Sequence, residues 1–171
     1  MSKALSPVEN LNGKNAIDKI KEIAEAAGTC FFSTNVNADT RSRPMALQEV
    51  DEHGNLWFLS DINSDKNKEI LNDNAVELYF INNSKYEYVF LKGLAQISQD
   101  RILIEKYWTN FASVWFDGKD DPNLSVIKVS PTDGYYYETK DNKLIAMSKM
   151  IFAAITGNSN EDGGVEGQLN L

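Results

Sequence analysis

Residues 43–70 read RPMALQEVDEHGNLWFLSDINSDKNKEI and contain the clearest structural pattern in the chain. Residues 43–50 and 56–60 are rich in apolar and aromatic side chains, and the polar residues DEHGN separate them. Two such runs joined by a short polar turn predict an antiparallel hairpin. Residues 64–71 follow with a helical pattern, and Ser64 stands at the N-cap position. The segment therefore predicts a strand, a turn, a strand and a short helix.

The flanking sequence extends this pattern in both directions. Apolar residues at helical spacing predict a helix over residues 15–27, with Asn15 as its N-cap and Gly28 at its end. The other predicted elements are a helix over 101–115 and strands over 29–36, 75–81, 87–98, 125–129 and 135–138. About six strands interrupted by helices predict an α+β fold that is mainly β, a barrel-like antiparallel sheet with flanking helices.

Two of these strand predictions carry further detail. Residues 75–81 are almost continuously apolar, which predicts a strand that is covered on both faces. Pro131 and Gly134 predict a break between the last two strands.

The length of 171 residues is typical of one domain that buries a sizeable core. We divide the chain into an N-terminal arm (1–13), a single domain (14–157) and a C-terminal tail (158–171). The tail is rich in Asn, Gly and Glu, so it is either loose or docked through Leu169 and Leu171.

Charge and composition exclude several functional classes. The chain has 17 Lys and Arg against 25 Asp and Glu, a net charge of −8, which disfavours binding to nucleic acid or to an anionic membrane. Cys30 and His53 are the only cysteine and histidine, which excludes a Cys/His zinc site and argues against a Ser-His-Asp triad. The unpaired cysteine and the lack of a membrane span or signal sequence indicate a cytoplasmic protein. We expect its chemistry to come from a bound cofactor.

Four residues of the central segment are suited to bind a phosphate group: Arg43, Ser60, Ser64 and Lys66. An arginine fork, two hydroxyls and a lysine at a helix N-terminus together complement a phosphate dianion. The order strand, turn, strand, helix brings Arg43 and Lys66 to the same end of the sheet. The alternative is that Lys66 is a solvated side chain and Ser64 only a helix cap.

Other conspicuous residues have simpler interpretations. His53 is expected to be a solvated turn residue, and Cys30 a small core residue. The aromatic side chains of the 101–115 helix are first of all expected to pack in the core: Tyr107, Trp108, Phe111 and Trp115. The acidic loop at 117–121 lacks the spacing of a calcium-binding loop.

Five stretches carry a resemblance to a known family. They are residues 42–45 (SRPM), 56–60 (LWFLS), 64–68 (SDKNK), 89–95 with Gly93, and 115–122 (WFDGKDDP). The closing residues 167–171 are similar as well. On these stretches the chain resembles the pyridoxamine 5′-phosphate oxidase-like, FMN-binding split-barrel superfamily, and within it the bacterial general stress protein group.

The resemblance implies a split β-barrel that forms a homodimer with FMN at the interface. By matching position, Arg43 and Lys66 would hold the FMN phosphate with the hydroxyls of Ser60 and Ser64. The residues that would line the isoalloxazine and the ribityl chain are Pro44, Met45, Ala46, Phe58 and Leu59. The partner protomer would add residues from the strand around Tyr88 and from the segment Trp115 to Lys119.

The chain departs from the true oxidase in two respects. It has no C-terminal Arg-x-x-Pro ending and no basic set for a second phosphate, so vitamin B6 oxidation is not expected. The main hypothesis is an FMN-dependent oxidoreductase that acts on a small redox partner, with no catalytic side chain assigned. The alternatives are a non-catalytic module that binds or sequesters flavin under stress, a barrel for haem or a deazaflavin, and a flavin-free dimeric scaffold.

Overall fold

The computed structural model describes residues 7–139 and 164–171, together with residues 151 and 155. The helices are α1 (Lys14–Ala27), α2 (Asp65–Asn72) and α3 (Arg101–Tyr107), followed by a short 3-10 helix (Asn110–Val114). The strands are β1 (Leu11–Asn12), β2 (Thr29–Thr34), β3 (Arg41–Val50), β4 (Leu56–Asp61), β5 (Ala75–Asn82), β6 (Glu87–Ser98), β7 (Leu124–Thr139) and β8 (Gly164–Asn170).

Six of these strands close into an antiparallel barrel. Neighbouring strands pair in the order β7-β4-β3-β2-β5-β6, and β6 pairs back onto β7. Outside the barrel, β8 pairs antiparallel with β7, and β1 pairs parallel with β8. The prediction of a mainly β, split-barrel fold with flanking helices is confirmed.

The core lies inside the barrel and beneath α1. Alternate residues of the strands face inward, so side chains such as Phe32, Phe58 and Leu78 are fully buried. Helix α1 covers one end with the apolar face that its spacing predicts. Its N-cap is Gly13 rather than the predicted Asn15, which lies one residue inside the helix. Gly28 ends the helix with φ of 70°, as predicted.

The predicted helix over residues 101–115 is wrong in its second half. Helix α3 ends at Tyr107, and the backbone of Trp108 is extended before the 3-10 helix begins. Thr109 and Asn110, two residues of low helix propensity, lie at the break. The aromatic stripe is therefore divided: Tyr107 is buried, whereas Phe111 and Trp115 are exposed.

The predicted break between the last two strands is also wrong, because β7 runs without interruption through Pro131 and Gly134. Residues 124–129 of β7 pair with β4 and residues 134–139 pair with β8, so Pro131 lies between these two partners. A proline is tolerated where one side of a strand lacks a hydrogen-bonded neighbour. On the other side, it faces Gly93 at a register shift in β6.

The prediction that residues 75–81 are covered on both faces is wrong for the single chain. Val76, Leu78 and Phe80 are buried, but Tyr79 and Ile81 on the opposite face are exposed. Strand β5 therefore presents an apolar outer surface. Within the described part of the chain, no helix combines the length and apolar character that crossing a bilayer requires.

Candidate functional site

The barrel opens between β3 and β4, where the two strands separate. They pair with each other only through residues 47–50 and 56–58, with a register shift between Leu47 and Glu49. Beyond this contact, residues 41–46 continue beside β2, and residues 59–61 continue beside β7. The facing backbone edges of these two segments, all of them within residues 7–139, are thus available to a ligand.

A cleft with a volume of about 630 Å³ lies at this opening. This size is typical of small-molecule and cofactor sites. Three groups of residues line it: Thr29, Pro44, Met45, Ala46 and Gln48 from β2 and β3; Leu59, Ser60, Asp61, Ser64 and Lys66 from β4 and α2; and Thr109, Phe111, Ala112, Trp115 and Phe116 from the 3-10 segment.

Lys66 is the cation of this cleft. It lies in the first turn of α2 and is only 7% exposed. Its ammonium group donates to the Ser60 hydroxyl and lies 3.3 Å from both Ser64 Oγ and Asn67 Oδ1. Burial, followed by the nearby charge of Arg43, lowers the pKa of Lys66 to about 8. Among the described residues no carboxylate forms an ion pair with Lys66, and a buried cation of this kind favours an anionic ligand.

A buried hydrogen-bond network fixes the start of α2 beside β4 and β7. Asn67 is fully buried; its Oδ1 accepts from Ser60 Oγ at 2.7 Å, and its Nδ2 donates to Ser125 Oγ at 3.1 Å. The backbone N–H of Asn67 donates to Ser64 Oγ at 3.2 Å, so the predicted N-cap is confirmed. This network holds Ser60, Ser64 and Lys66 as one rigid group.

Arg43 lies at the same end of the barrel but is held by a different set of contacts. Its guanidinium donates to Thr34 Oγ1 at 2.6 Å and to Glu69 Oε2 at 2.9 Å. Thr34 also donates to Glu69, and Arg41 Nε lies 3.8 Å from Glu69 Oε1. Burial alone would raise the pKa of Glu69, but the hydrogen bonds from Thr34 and Arg43 and the two arginine charges leave it lowered. Arg43 is thus near enough to influence Lys66, yet it is already ion-paired.

The other predicted site residues divide into two groups. Pro44, Met45, Ala46 and Leu59 line the cleft beside Ser60, Ser64 and Lys66. Phe58 does not line it, because strand alternation turns its ring into the core, where it packs edge-on against Phe32 at 5.3 Å.

The three residues that the resemblance assigns to the partner protomer are dispersed. Trp115 lines the cleft of its own chain. Tyr88 lies on the outer face of the barrel in β6, and Lys119 is exposed in the loop before β7. The single chain therefore does not bring these three together. His53 and Cys30 are as predicted, the first exposed in a turn and the second buried.

Sequence reasoning missed three residues that shape the site. Glu69 holds Arg43, Asn67 anchors Ser60, and Phe111 lines the cleft. Asn67 and Glu69 stand one and three residues after Lys66 in α2, so the helical pattern alone placed them near the site. Phe111 is exposed because the helix breaks after Tyr107, and the low helix propensity of Thr109 and Asn110 is the signal that could have indicated this break.

The family model described as "Pyridoxamine 5'-phosphate oxidase like" matches residues 15–161. The chain belongs to this family. Among solved structures, general stress protein 26 from Bacillus anthracis str. Sterne is 30% identical with a TM-score of 0.63, and the match covers 70% of this chain and 92% of that one.

Two further proteins are similar to this chain at lower identity. Protein bli-3 from Neurospora crassa is 25% identical over 164 residues, which covers 86% of this chain and 78% of that protein. A structure described as the general stress FMN/FAD binding protein of Xanthomonas citri shares the fold, with a TM-score of 0.65 at 17% identity and coverage of 76% and 93% of the two chains.

Proposed function

We propose that the protein is an FMN-binding flavoprotein that acts as an oxidoreductase. The observation that carries this proposal is the buried ammonium of Lys66, which lines the cleft beside two hydroxyls and lacks an ion-pair partner among the described residues. A ligand phosphate would supply the missing anion. At neutral pH a phosphate monoester carries a charge of about −1.5 to −2, which Lys66 and the partly neutralised Arg43 complement.

The rest of the cleft fits the remainder of FMN. The facing edges of β3 and β4 offer backbone donors and acceptors to the polar atoms of a flavin ring. Met45 and Leu59, which lie on these edges, supply apolar surface in the cleft. When bound, the isoalloxazine supplies the redox chemistry, whereas the protein orients it and excludes water.

One similar protein points to a flavin, and the charge of the cleft favours FMN among the flavins. The Xanthomonas citri relative is described as binding FMN or FAD, which supports a flavin. Lys66 is the only cation among the described lining residues, which suits one phosphate better than the diphosphate of FAD. The same single cation leaves no counter-charge for the phosphate of a vitamin B6 substrate, so we do not assign that activity.

We also propose a homodimer with the flavin site near its interface. Phe31, Tyr79, Phe90 and Tyr135 are cross-strand neighbours on β2, β5, β6 and β7, and they form an apolar row on the outside of the barrel. Ile81, Tyr88 and Tyr137 form the adjacent row and are all exposed. We call these seven residues the outer patch. Exposed apolar surface of this extent is typical of a protein interface.

The outer patch is continuous with the cleft. Phe31 pairs across the β2–β3 ladder with Pro44, which lines the cleft. A second copy seated on the patch would therefore reach the cleft rim. The proposed compartment is the cytoplasm, since the one cysteine is a buried free thiol.

Titration with FMN and with riboflavin tests the phosphate assignment, because riboflavin differs only in lacking the phosphate. We expect flavin fluorescence to change on addition of FMN, and Lys66→Ala to weaken FMN binding but not riboflavin binding. Lys68→Ala is the matched control, since Lys68 is exposed on the same helix and pairs with Asp65. Equal loss of both ligands in Lys66→Ala, or no loss, would remove Lys66 from the phosphate site.

A non-catalytic flavin-binding module is the second candidate. It is favoured by the side chains that line the cleft, where Asp61 and Lys66 are the only charged groups among the described residues. Anaerobic addition of NADH or NADPH to the FMN-loaded protein separates the two candidates. Rapid bleaching of the flavin absorbance supports the oxidoreductase, and flavin that stays oxidised with both donors supports the module.

A further inference from the structure

Two large aromatic side chains lie exposed in the cleft. Phe111 is 64% exposed and Trp115 is 63% exposed, although both line the cleft. Their rings contact each other edge-to-face, with centroids 4.9 Å apart at 78°. An edge-to-face pair held at the wall of a concave site offers a preformed surface for a further aromatic ring.

The residues beside this pair, Ala112 and Phe116, are packed against the rest of the protein. Ala112 is buried, and its carbonyl accepts from the amides of Trp115 and Phe116 at 3.0 Å each. Phe116 packs against a hydrophobic cluster that includes Ile104 and Leu124. We call Phe111, Ala112, Trp115 and Phe116 the aromatic wall. Because Ala112 and Phe116 are packed, the backbone that carries the two exposed rings is held in place, which lowers the cost of ordering them on binding.

The aromatic wall carries no charge. Both charged residues of the described lining lie elsewhere, Asp61 at the end of β4 and Lys66 in the first turn of α2. An anionic ligand group placed against the wall would therefore lose water without gaining a counter-ion, which is unfavourable. A flat, uncharged ring system meets no such penalty.

We propose that the aromatic wall binds an uncharged planar aromatic molecule in the cleft. This inference rests on the proposed flavin site, since Lys66, Met45 and Leu59 are assigned there to the cofactor. The concave shape and the volume of about 630 Å³ fit a small molecule better than the flat face of a second protein copy.

The test measures binding of menadione, an uncharged naphthoquinone, to the oxidised FMN-loaded protein by isothermal titration calorimetry. Naphthoquinone sulfonate serves as the charged counterpart. We expect menadione to bind more tightly than the sulfonate. We also expect Phe111→Ala and Trp115→Ala each to lower the affinity for menadione by about tenfold. Leu71→Ala is the control, because Leu71 is also apolar and exposed but lies outside the cleft.

Three results would overturn the inference. If Trp115→Ala lowers the affinity for FMN as strongly as the affinity for menadione, the wall belongs to the cofactor site. If the sulfonate binds as well as menadione, the wall does not select for charge. If either variant changes the oligomeric state in size-exclusion chromatography, the wall is an interface between copies.

The proposed function can fail separately. If the wild-type protein does not bind FMN, the flavin assignment is lost, and the same titration on the unliganded protein still decides about the wall. If Phe111→Ala and Trp115→Ala weaken menadione binding to the unliganded protein, the aromatic site is supported. If the affinity is unchanged in both variants, the inference is contradicted.

Discussion

Lys66 and Arg43 are both cations at the open end of the barrel, but their surroundings differ. Arg43 is satisfied within the chain by Glu69 and Thr34. Among the residues that the structure describes, Lys66 donates to neutral oxygens only, those of Ser60, Ser64 and Asn67. Arg43 thus stabilises the fold with or without a ligand, whereas the charge of Lys66 becomes fully compensated when an anion binds.

The affinity for FMN should depend on pH through Lys66. Its pKa is lowered to about 8 in the free protein, chiefly by burial, and a bound phosphate favours the charged form. Affinity should rise up to about pH 6, where the phosphate loses its second proton, and fall as pH increases through the Lys66 pKa. Equilibrium dialysis between pH 5 and 10 measures this, with riboflavin as the phosphate-free control. A curve for FMN that stays flat above pH 8 would contradict the assignment.

Replacing Glu69 with alanine should destabilise the fold. The change leaves Arg43 and the buried hydroxyl of Thr34 without their shared acceptor, at a cost of about 2 kcal/mol in the free energy of unfolding. Urea denaturation measures the loss. The control is Lys14→Ala, which removes an exposed ion pair with Asp18 and should cost less than about 0.5 kcal/mol. Equal stability of the two variants would show that the Arg43–Glu69 pair contributes little.

Short-range features of single residues were predictable, and long-range partners were not. The cap at Ser64, the exposure of His53 and the burial of Cys30 each follow from a few neighbouring residues. The contact between Arg43 and Glu69 depends on how β3 and α2 are placed in space. A sequence pattern does not contain that placement, so the ion pair of Arg43 with Glu69 was not predicted.

At the scale of elements, local propensity succeeded where it agreed with the tertiary structure. The bounds of α1 and β6 were predicted to within one residue. Helix α3 and strand β7 were not, because their lengths depend on distant partners. Tyr107 donates to Glu49 of β3 at 2.8 Å at the end of α3, and β7 is held by β4, β6 and β8 along its length.

The N-terminal segment and β8 should separate if Gly167 is replaced with alanine. An added Cβ would lie 1.9 Å from the Glu9 carbonyl oxygen, so the segment would have to move off β8. That movement breaks the bond from the Glu9 amide to the Glu166 carbonyl at 2.7 Å, and we expect a loss of about 1–3 kcal/mol. Hydrogen exchange at Glu9 should accelerate. The exposed neighbour Gln168→Ala is the control, and protection equal to that of the wild type in Gly167→Ala would refute the close approach.

At the scale of the whole molecule, the closed barrel was predictable from the number and order of its strands. Its outer surface was not, because the apolar residues of β5 were assigned to burial on both faces of one chain. Tyr79 and Ile81 instead lie in the outer patch. The same apolar pattern fits both arrangements, since burial within a chain and burial between chains select similar residues.

A charge in the outer patch should dissociate the proposed dimer. We expect the wild-type protein to be dimeric by light scattering, and Tyr79→Glu to be monomeric with weaker FMN binding, because the patch adjoins the cleft through Phe31 and Pro44. Ile102→Glu is the control, since Ile102 is exposed on α3 outside the patch. A monomeric wild-type protein would remove this interface, as would a dimer that Tyr79→Glu leaves intact.

The gap between β3 and β4 has a consequence for the life of the polypeptide in a cell. Strand edges without a neighbour are templates for pairing with other chains. A molecule whose gap is filled hides these edges, while an empty one displays them. If the proposed flavin fills this gap, we expect copies without it to aggregate or be degraded more readily than loaded copies.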